Sequence, residues 1–263
     1  MKDHLCEVIS NERLSGPLYL MRLYSSELAS QIRPGQFVHM SIPSLQANIL
    51  RRPFSIYDAD SDEGWIDILY QVVGDGTDAM TEWEAGYRTS MIGPIGREWE
   101  APEDCERALL VGGGVGAAPL FLLCKELLAN GTTVDVILGA ATKDSLVCKA
   151  RYDSAGPNYM RCTTDDGSYG TEGFATIEIE RAIQEANING IKYDYAAICG
   201  PEPLMRAASS MTVSEGIPTQ ISMEKRMACG VGACLSCIVE TVSGRKRACV
   251  DGPIFEAEKV VWQ

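Results

Sequence analysis

Ala108-Leu109-Leu110-Val111-Gly112-Gly113-Gly114-Val115-Gly116-Ala117-Ala118-Pro119 joins a short apolar run to four glycines in five positions and then to a helix-length segment, Pro119 to Leu128. An apolar run of this length bounded by glycine reads as a buried strand. The alternation continues with a strand at Val134 to Leu138, a helix at Thr176 to Ala186, a strand at Ala196 to Cys199 and a helix at Leu204 to Met211. Strands alternating with helices predict a parallel sheet covered on both faces, here over residues 101–216. The glycines matter because at such a turn a dinucleotide approaches backbone and helix N-terminus together. Gly112, Gly114 and Ala117 fit G-x-G-x-x-A, with Gly113 and Gly116 beside them. The next strand, however, ends in Gly139-Ala140-Ala141 and lacks the acidic residue that usually closes the pattern. Cys199-Gly200-Pro201 ends a later strand and lies at the carboxyl-end crevice where ligands collect in such sheets. Each motif also reads as an ordinary strand-to-helix turn.

Upstream, the pattern is different. Leu18 to Leu23, Gln36 to Ile42 and Trp65 to Val73 read as short strands, with turn chemistry at Pro34-Gly35, Pro43-Ser44, Gly74-Asp75-Gly76 and Gly93-Pro94. Many short strands at close spacing predict an antiparallel β-barrel over residues 1–100, with one short helix from Thr77 to Trp83. Arg51-Arg52-Pro53-Phe54-Ser55 sets a guanidinium and a hydroxyl at a strand start, and both can bind phosphate. Gly74-Asp75-Gly76-Thr77 follows a long strand and offers amides and a hydroxyl for a pyrophosphate. Alone, the first is a solvated arginine and the second a capped turn. Together in one small barrel they predict an FAD phosphate site.

Cys229, Cys234, Cys237 and Cys249 follow C-x4-C-x2-C with eleven residues before the last thiol, the plant-type [2Fe-2S] spacing. Gly230-Val231-Gly232-Ala233 are small, so the loop can wrap closely and aim amides at sulfur. Zinc on four thiolates is the competing reading, but structural zinc usually takes two separated short-spaced pairs. A segment of 217–263 is too short for its own apolar core and should be organised around metal. Cys6, Cys105, Cys124, Cys148, Cys162 and Cys199 are scattered among apolar residues and read as buried, inert thiols. His4 and His39 have no spaced partner and read as surface or core residues.

The chain has 263 residues, 46% apolar, and a net charge of −13, which speaks against nucleic acid as a partner. It begins without the apolar core of a secretion signal and has no membrane-length apolar run, so a cytoplasmic protein is expected.

Barrel, Arg-Pro-Phe-Ser, Gly-Gly-Gly-Val-Gly, Cys-Gly-Pro and cysteine loop, in this order, resemble the ferredoxin-reductase superfamily over nearly the whole chain. Within it, Met223-Glu224-Lys225-Arg226-Met227-Ala228-Cys229 through Cys237, followed by Arg247 to Phe255, resemble the electron-transfer subunits of dihydroorotate dehydrogenase B. The resemblance implies FAD contacts at Arg52, Pro53, Phe54, Ser55, Leu69, Tyr70, Gln71, Gly76 and Thr77. It implies a [2Fe-2S] cluster on the four cysteines, NAD as co-substrate and no acid or base catalyst in this chain. It also implies an FMN-containing catalytic partner in a heterotetramer, two of each. Gln71 stands where relatives often carry Arg, and Arg97 where Asn is common. An NAD(P)H-linked flavin and iron–sulfur reductase for another acceptor, such as ferredoxin or a sulfur compound, would share every motif. Asp144 is placed to disfavour a 2′-phosphate, although a solvated acid at a helix start reads the same.

Overall fold

The computed structural model describes residues 1–43 and 50–262; Ser44, half of one expected turn, lies outside the described residues. The first unit is antiparallel: β1 (Lys2–Ser15), β2 (Leu18–Tyr24), β3 (Phe37–Met40), β4 (Arg52–Ser55), β5 (Asp58–Asp60), β6 (Trp65–Gln71) and β7 (Arg88–Ile95). Short helices α1 (Ser26–Ala29) and α2 (Asp75–Met80) interrupt it. The order β4-β3-β7-β1-β2-β6-β5 ends on two strands with no ladder between them among the described residues, so the expected closed barrel is a curved half-barrel. Its core follows from alternation: Cys6, Val8, Met21, Leu23, Val38, Met40, Ile66, Ile68 and Met91 point inward and are buried.

The second unit runs β8 (Arg107–Gly113), α3 (Phe121–Ala129), β9 (Thr133–Ala140), α4 (Lys149–Ala155), β10 (Tyr159–Thr164), β11 (Thr171–Glu172), α5 (Thr176–Ile188), β12 (Tyr195–Cys199), α6 (Glu202–Ser214) and β13 (Thr219–Ser222). A 3-10 turn at Gly114–Leu120, with Pro119 inside it, separates the glycines from α3, so the helix begins later than expected. Then come a hairpin, β14 (Ile238–Thr241) and β15 (Gly244–Arg247), and a last strand, β16 (Ile254–Glu256).

The central sheet has the order β11-β10-β9-β8-β12-β13-β16. It is parallel except at its edge, where β13 pairs with β16 antiparallel, Ile221 opposite Phe255. The all-parallel expectation is corrected there, because β16 returns from the cysteine segment instead of crossing over a helix. That segment therefore hangs between two strands of one sheet. Cys237, Val239, Ala248 and Cys249 share a core with Ile221, Met223, Phe255 and Val260. Its apolar side chains are covered by the central domain, not by metal alone.

Ion pairs stitch the half-barrel to the central unit. Lys125 reaches Asp58 at 2.7 Å, and Arg151 reaches Asp67 at 2.6 Å. Asp67 is fully buried and is also held by Arg22.

Candidate functional site

One cavity of about 680 Å³ opens where the three parts of the chain meet. Arg52, Pro53, Phe54 and Ser55 of β4 line it, with Leu69, Tyr70 and Gln71 of β6 and Gly74 to Thr77 at the start of α2. The two flavin motifs, ambiguous singly, meet here. A Cβ on Gly76 would stand 3.4 Å from Arg52 Nε, so the turn and the guanidinium share one corner. That sets a cation beside the start of a short helix, two features that can hold a phosphate. The Thr77 hydroxyl is engaged within the turn: Oγ1 accepts from the Val73 and Gly74 amides and donates to the Gly74 carbonyl. These bonds shape the turn that lines the cavity beside Arg52. Phe54 and Tyr70 meet edge-on, centroids 6.3 Å apart, giving the cavity an aromatic wall.

Val115, Ala118 and Pro119 close the cavity from the glycine turn, while Met223, Glu224, Lys225, Met227 and Pro253 close it from the cysteine segment. These last five belong to the segments that carry the family resemblance, which gives them no flavin role; nothing in local spacing marks them, since the chain fold alone brings them over. Burial pushes the Glu224 carboxyl above its usual range.

The nicotinamide motifs also converge. A Cβ on Gly116 would fall 2.6 Å from Gly200 Cα, and one on Gly113 would strike Leu204 and Pro201 at 2.5 and 3.0 Å. Gly113 and Gly116 are thus glycines so that the β8 and β12 turns can touch. Gly112 has the same role toward Ala117, at 2.7 Å. Gly114 alone of the four faces open space, and its φ of +56° lies in the left-handed region. Cys199 is buried behind this contact; burial, then the Glu224 carboxylate, pushes its thiol far up and keeps it protonated. The other five scattered cysteines are buried too.

In the cysteine loop, Gly230 and Gly232 take φ of +67° and +80°, which turns the Val231 and Cys234 amides onto Cys229 Sγ at 3.4 Å each. These donors, Val231 first, pull the Cys229 thiol down to about 6, toward the thiolate that iron requires. Burial, and then Cys237 beside it, pushes the Cys249 thiol up to about 12. The thiols stand as neighbouring pairs, Cys229 with Cys234 and Cys237 with Cys249, and no set of three or more metal-ligating side chains closes among the described residues. Three thiols on one loop with a fourth just beyond the β14–β15 hairpin, glycines that allow close wrapping and amides aimed at sulfur nonetheless fit an iron–sulfur cluster. His39, expected as a bland residue, lies against this loop at Gly230.

A half-barrel with a phosphate corner, an α/β unit with a glycine turn and a cysteine loop joined to its sheet define a ferredoxin-reductase-like oxidoreductase. Family models agree by segment. The oxidoreductase FAD-binding domain matches residues 5–99, the oxidoreductase NAD-binding domain 110–210, and the iron-sulfur cluster binding domain of dihydroorotate dehydrogenase B 224–261. The electron transfer subunit of dihydroorotate dehydrogenase B (NAD(+)) from Geobacillus thermodenitrificans is 36% identical over 97% of this chain and 96% of its own. That of Desulforamulus reducens is 35% identical over 93% of both. A solved NADH-dependent reduced ferredoxin-NADP oxidoreductase, studied for flavin-based electron bifurcation, superposes with a TM-score of 0.87 at 29% identity, covering 97% of this chain and 89% of its own. The chain belongs to the family of dihydroorotate dehydrogenase B electron-transfer subunits, oxidoreductase components with FAD-, NAD- and iron–sulfur-binding domains. No helix among the described residues is long and apolar enough to cross a membrane.

Proposed function

We propose that this chain carries electrons from an FMN-containing catalytic subunit, which oxidises dihydroorotate to orotate, to NAD+ in pyrimidine biosynthesis. The single observation that supports this best is the shared cavity, walled by the flavin strands, the glycine turn and the cysteine segment at once. The working division is 1–100 for FAD, 101–216 for NAD and 217–263 for a [2Fe-2S] cluster, in a cytoplasmic heterotetramer of two of each subunit.

Arg52, Pro53, Phe54, Ser55, Leu69, Tyr70, Gln71, Gly76 and Thr77 hold FAD; Gly112, Gly113, Gly114, Gly116, Cys199, Gly200 and Pro201 form the nicotinamide side; Cys229, Cys234, Cys237 and Cys249 hold iron. When bound, FAD exchanges a hydride with nicotinamide and single electrons with iron, and the protein supplies placement and electrostatics. Arg52 balances phosphate charge, the glycine turns keep two loops in contact, and the Val231 and Cys234 amides steady a thiolate. The partner fits the cysteine end. Val231, Leu235 and Val250 are 46%, 61% and 41% exposed around the loop. Residues 217–263 hold six Lys and Arg against five Asp and Glu, whereas the rest of the chain is strongly acidic. An apolar, nearly neutral face on an acidic molecule suits a protein partner.

Anaerobic purification with the partner, followed by iron, sulfide and flavin analysis and an assay of dihydroorotate-dependent NAD+ reduction, tests the reading. Cys234→Ser should keep FAD and NADH oxidation by artificial acceptors while abolishing orotate-linked NAD+ reduction. Full activity in that variant overturns the cluster's role. The likeness to the ferredoxin-NADP oxidoreductase favours one alternative, a subunit that serves ferredoxin. A complex that reduces ferredoxin and ignores dihydroorotate would establish it.

A further inference from the structure

One short strand, β3, borders both the flavin cavity and the cysteine loop. Phe37 lines the cavity, while Val38 and Met40 turn away into the half-barrel core. His39, two residues beyond Phe37, shares its face. The two rings lie 5.9 Å apart at 55°. Across the ladder, His39 sits opposite Pro53 of the flavin strand. On its other side the imidazole covers the cysteine loop: a Cβ on Gly230 would lie 2.8 Å from both Cε1 and Nδ1. Gly230 follows Cys229 directly, so one side chain touches both cofactor-binding parts.

The ring is 1% exposed, and its Nε2 has no hydrogen-bond partner among the described residues. Native proteins rarely leave a buried polar nitrogen unmatched, and such an atom beside a cofactor loop points to a group that arrives with the cofactor. Burial, and then the Arg51 guanidinium that donates to the His39 carbonyl, lowers the ring's pKa. A neutral imidazole keeps one N–H to donate. Neither Arg51 nor Pro53 offers it an acceptor: the Arg51 guanidinium is a donor, spent on the carbonyls of His39 and Ser90, Ser90 Oγ and Asp3.

We propose that His39 is a positioning residue whose Nε2–H is reserved for a sulfur of the iron–sulfur cluster, seating the cysteine loop against the flavin strand and setting the cluster's reduction potential. The inference rests on the cluster assignment to Cys229, Cys234, Cys237 and Cys249 made above. A donated N–H stabilises the more negative, reduced cluster and so raises its potential.

The test uses the purified holo-complex with wild-type, His39→Phe and His39→Gln chains. Iron and FAD are assayed, and the cluster is titrated under paramagnetic resonance. His39→Phe keeps the packing volume but has no donor. It should retain iron and FAD while shifting the electron balance from cluster toward FAD about tenfold, about 59 mV for a one-electron couple. His39→Gln, which keeps an N–H, should return toward the wild-type potential. An unchanged cluster potential in iron-replete His39→Phe overturns the proposal, as does a shift confined to FAD. A wild-type complex without iron or a paramagnetic signal overturns the cluster assignment instead, so the two failures are distinct.

Discussion

Arg52 gains its meaning from where Gly76 lies. An arginine at a strand start is usually solvated, and nothing in Arg-Pro-Phe-Ser alone distinguishes it. In the fold, a Cβ on Gly76 would press on Ile42 at 3.1 Å and stand 3.4 Å from Arg52 Nε, so glycine lets the turn close on the guanidinium, where the proposed reading seats a phosphate. Arg52→Ala should therefore lose most of its FAD on gel filtration while keeping iron; unchanged flavin absorbance would place the phosphate elsewhere. The glycines at the end of β8 and just beyond it carry a packing role as well. Their spacing points to ligand contact, and the backbone also presses Gly116 against Gly200. Gly116→Ala should cost about 1–3 kcal/mol of stability through overpacking, read as a lower Tm. On the proposed reading, in which these turns form the nicotinamide side, it should also raise KM for NADH. A variant with wild-type Tm and KM would show that the loops have slack. These contacts were not legible beforehand because a glycine's partner lies far along the chain.

Elements whose periodicity is internal were legible, and those defined by a distant partner were not. Leu18–Tyr24 and Trp65–Gln71 are short runs rich in apolar and aromatic residues bounded by turn chemistry, and they pair with each other, Leu20 opposite Leu69. β1, fourteen residues long, mixes charge and apolar groups because its outer face meets solvent, with Leu5 and Ile9 exposed. β16 is three residues and exists only because β13 offers an edge. The same dependence on a partner governs the charged link between β10 and α5. Glu178, buried on α5, receives Arg161 from β10, Arg181 one turn on and the Thr171 hydroxyl. Burial alone would raise its carboxyl; the Thr171 donation and the two guanidinium groups outweigh it, so the pKa falls below its ordinary 4.5. A carboxyl lowered on folding contributes stability that is complete above its unfolded pKa and is lost as pH falls through the folded value. Glu178→Gln should thus destabilise the chain by about 1–2 kcal/mol at neutral pH, with the difference shrinking as pH drops below that range. Urea melts across pH check this, and a difference that grows in acid would refute it.

At the scale of the molecule, the placement of flavin against nicotinamide depends on how the half-barrel sits on the central sheet. That relation could not be deduced from motifs, because its carriers are charged residues on elements that look solvated in isolation. Arg151, on α4, reaches across to Asp67 and lies over the Tyr57 ring, 4.6 Å from its centroid. Asp67 has no exposed surface and already holds Arg22, so one carboxylate fastens a strand of the half-barrel both to its neighbour and to the other domain. Truncating one partner of a buried, multiply bonded charge is destabilising, but Arg22 keeps Asp67 paired, so the cost of Arg151→Met should stay near about 1–3 kcal/mol. The larger effect should be on geometry. A misplacement of about 1 Å between reacting groups can cost about a hundredfold in rate. Arg151→Met should retain FAD and iron, since it touches neither site, yet slow the reduction of FAD by NADH by about tenfold or more in stopped flow. KM should change less than kcat, because each half of the site remains intact and only their mutual placement loosens. Lys125→Met, which leaves the Arg151–Asp67 pair in place, should slow the step less; equal wild-type rates in both variants would mean that apolar packing alone sets the separation.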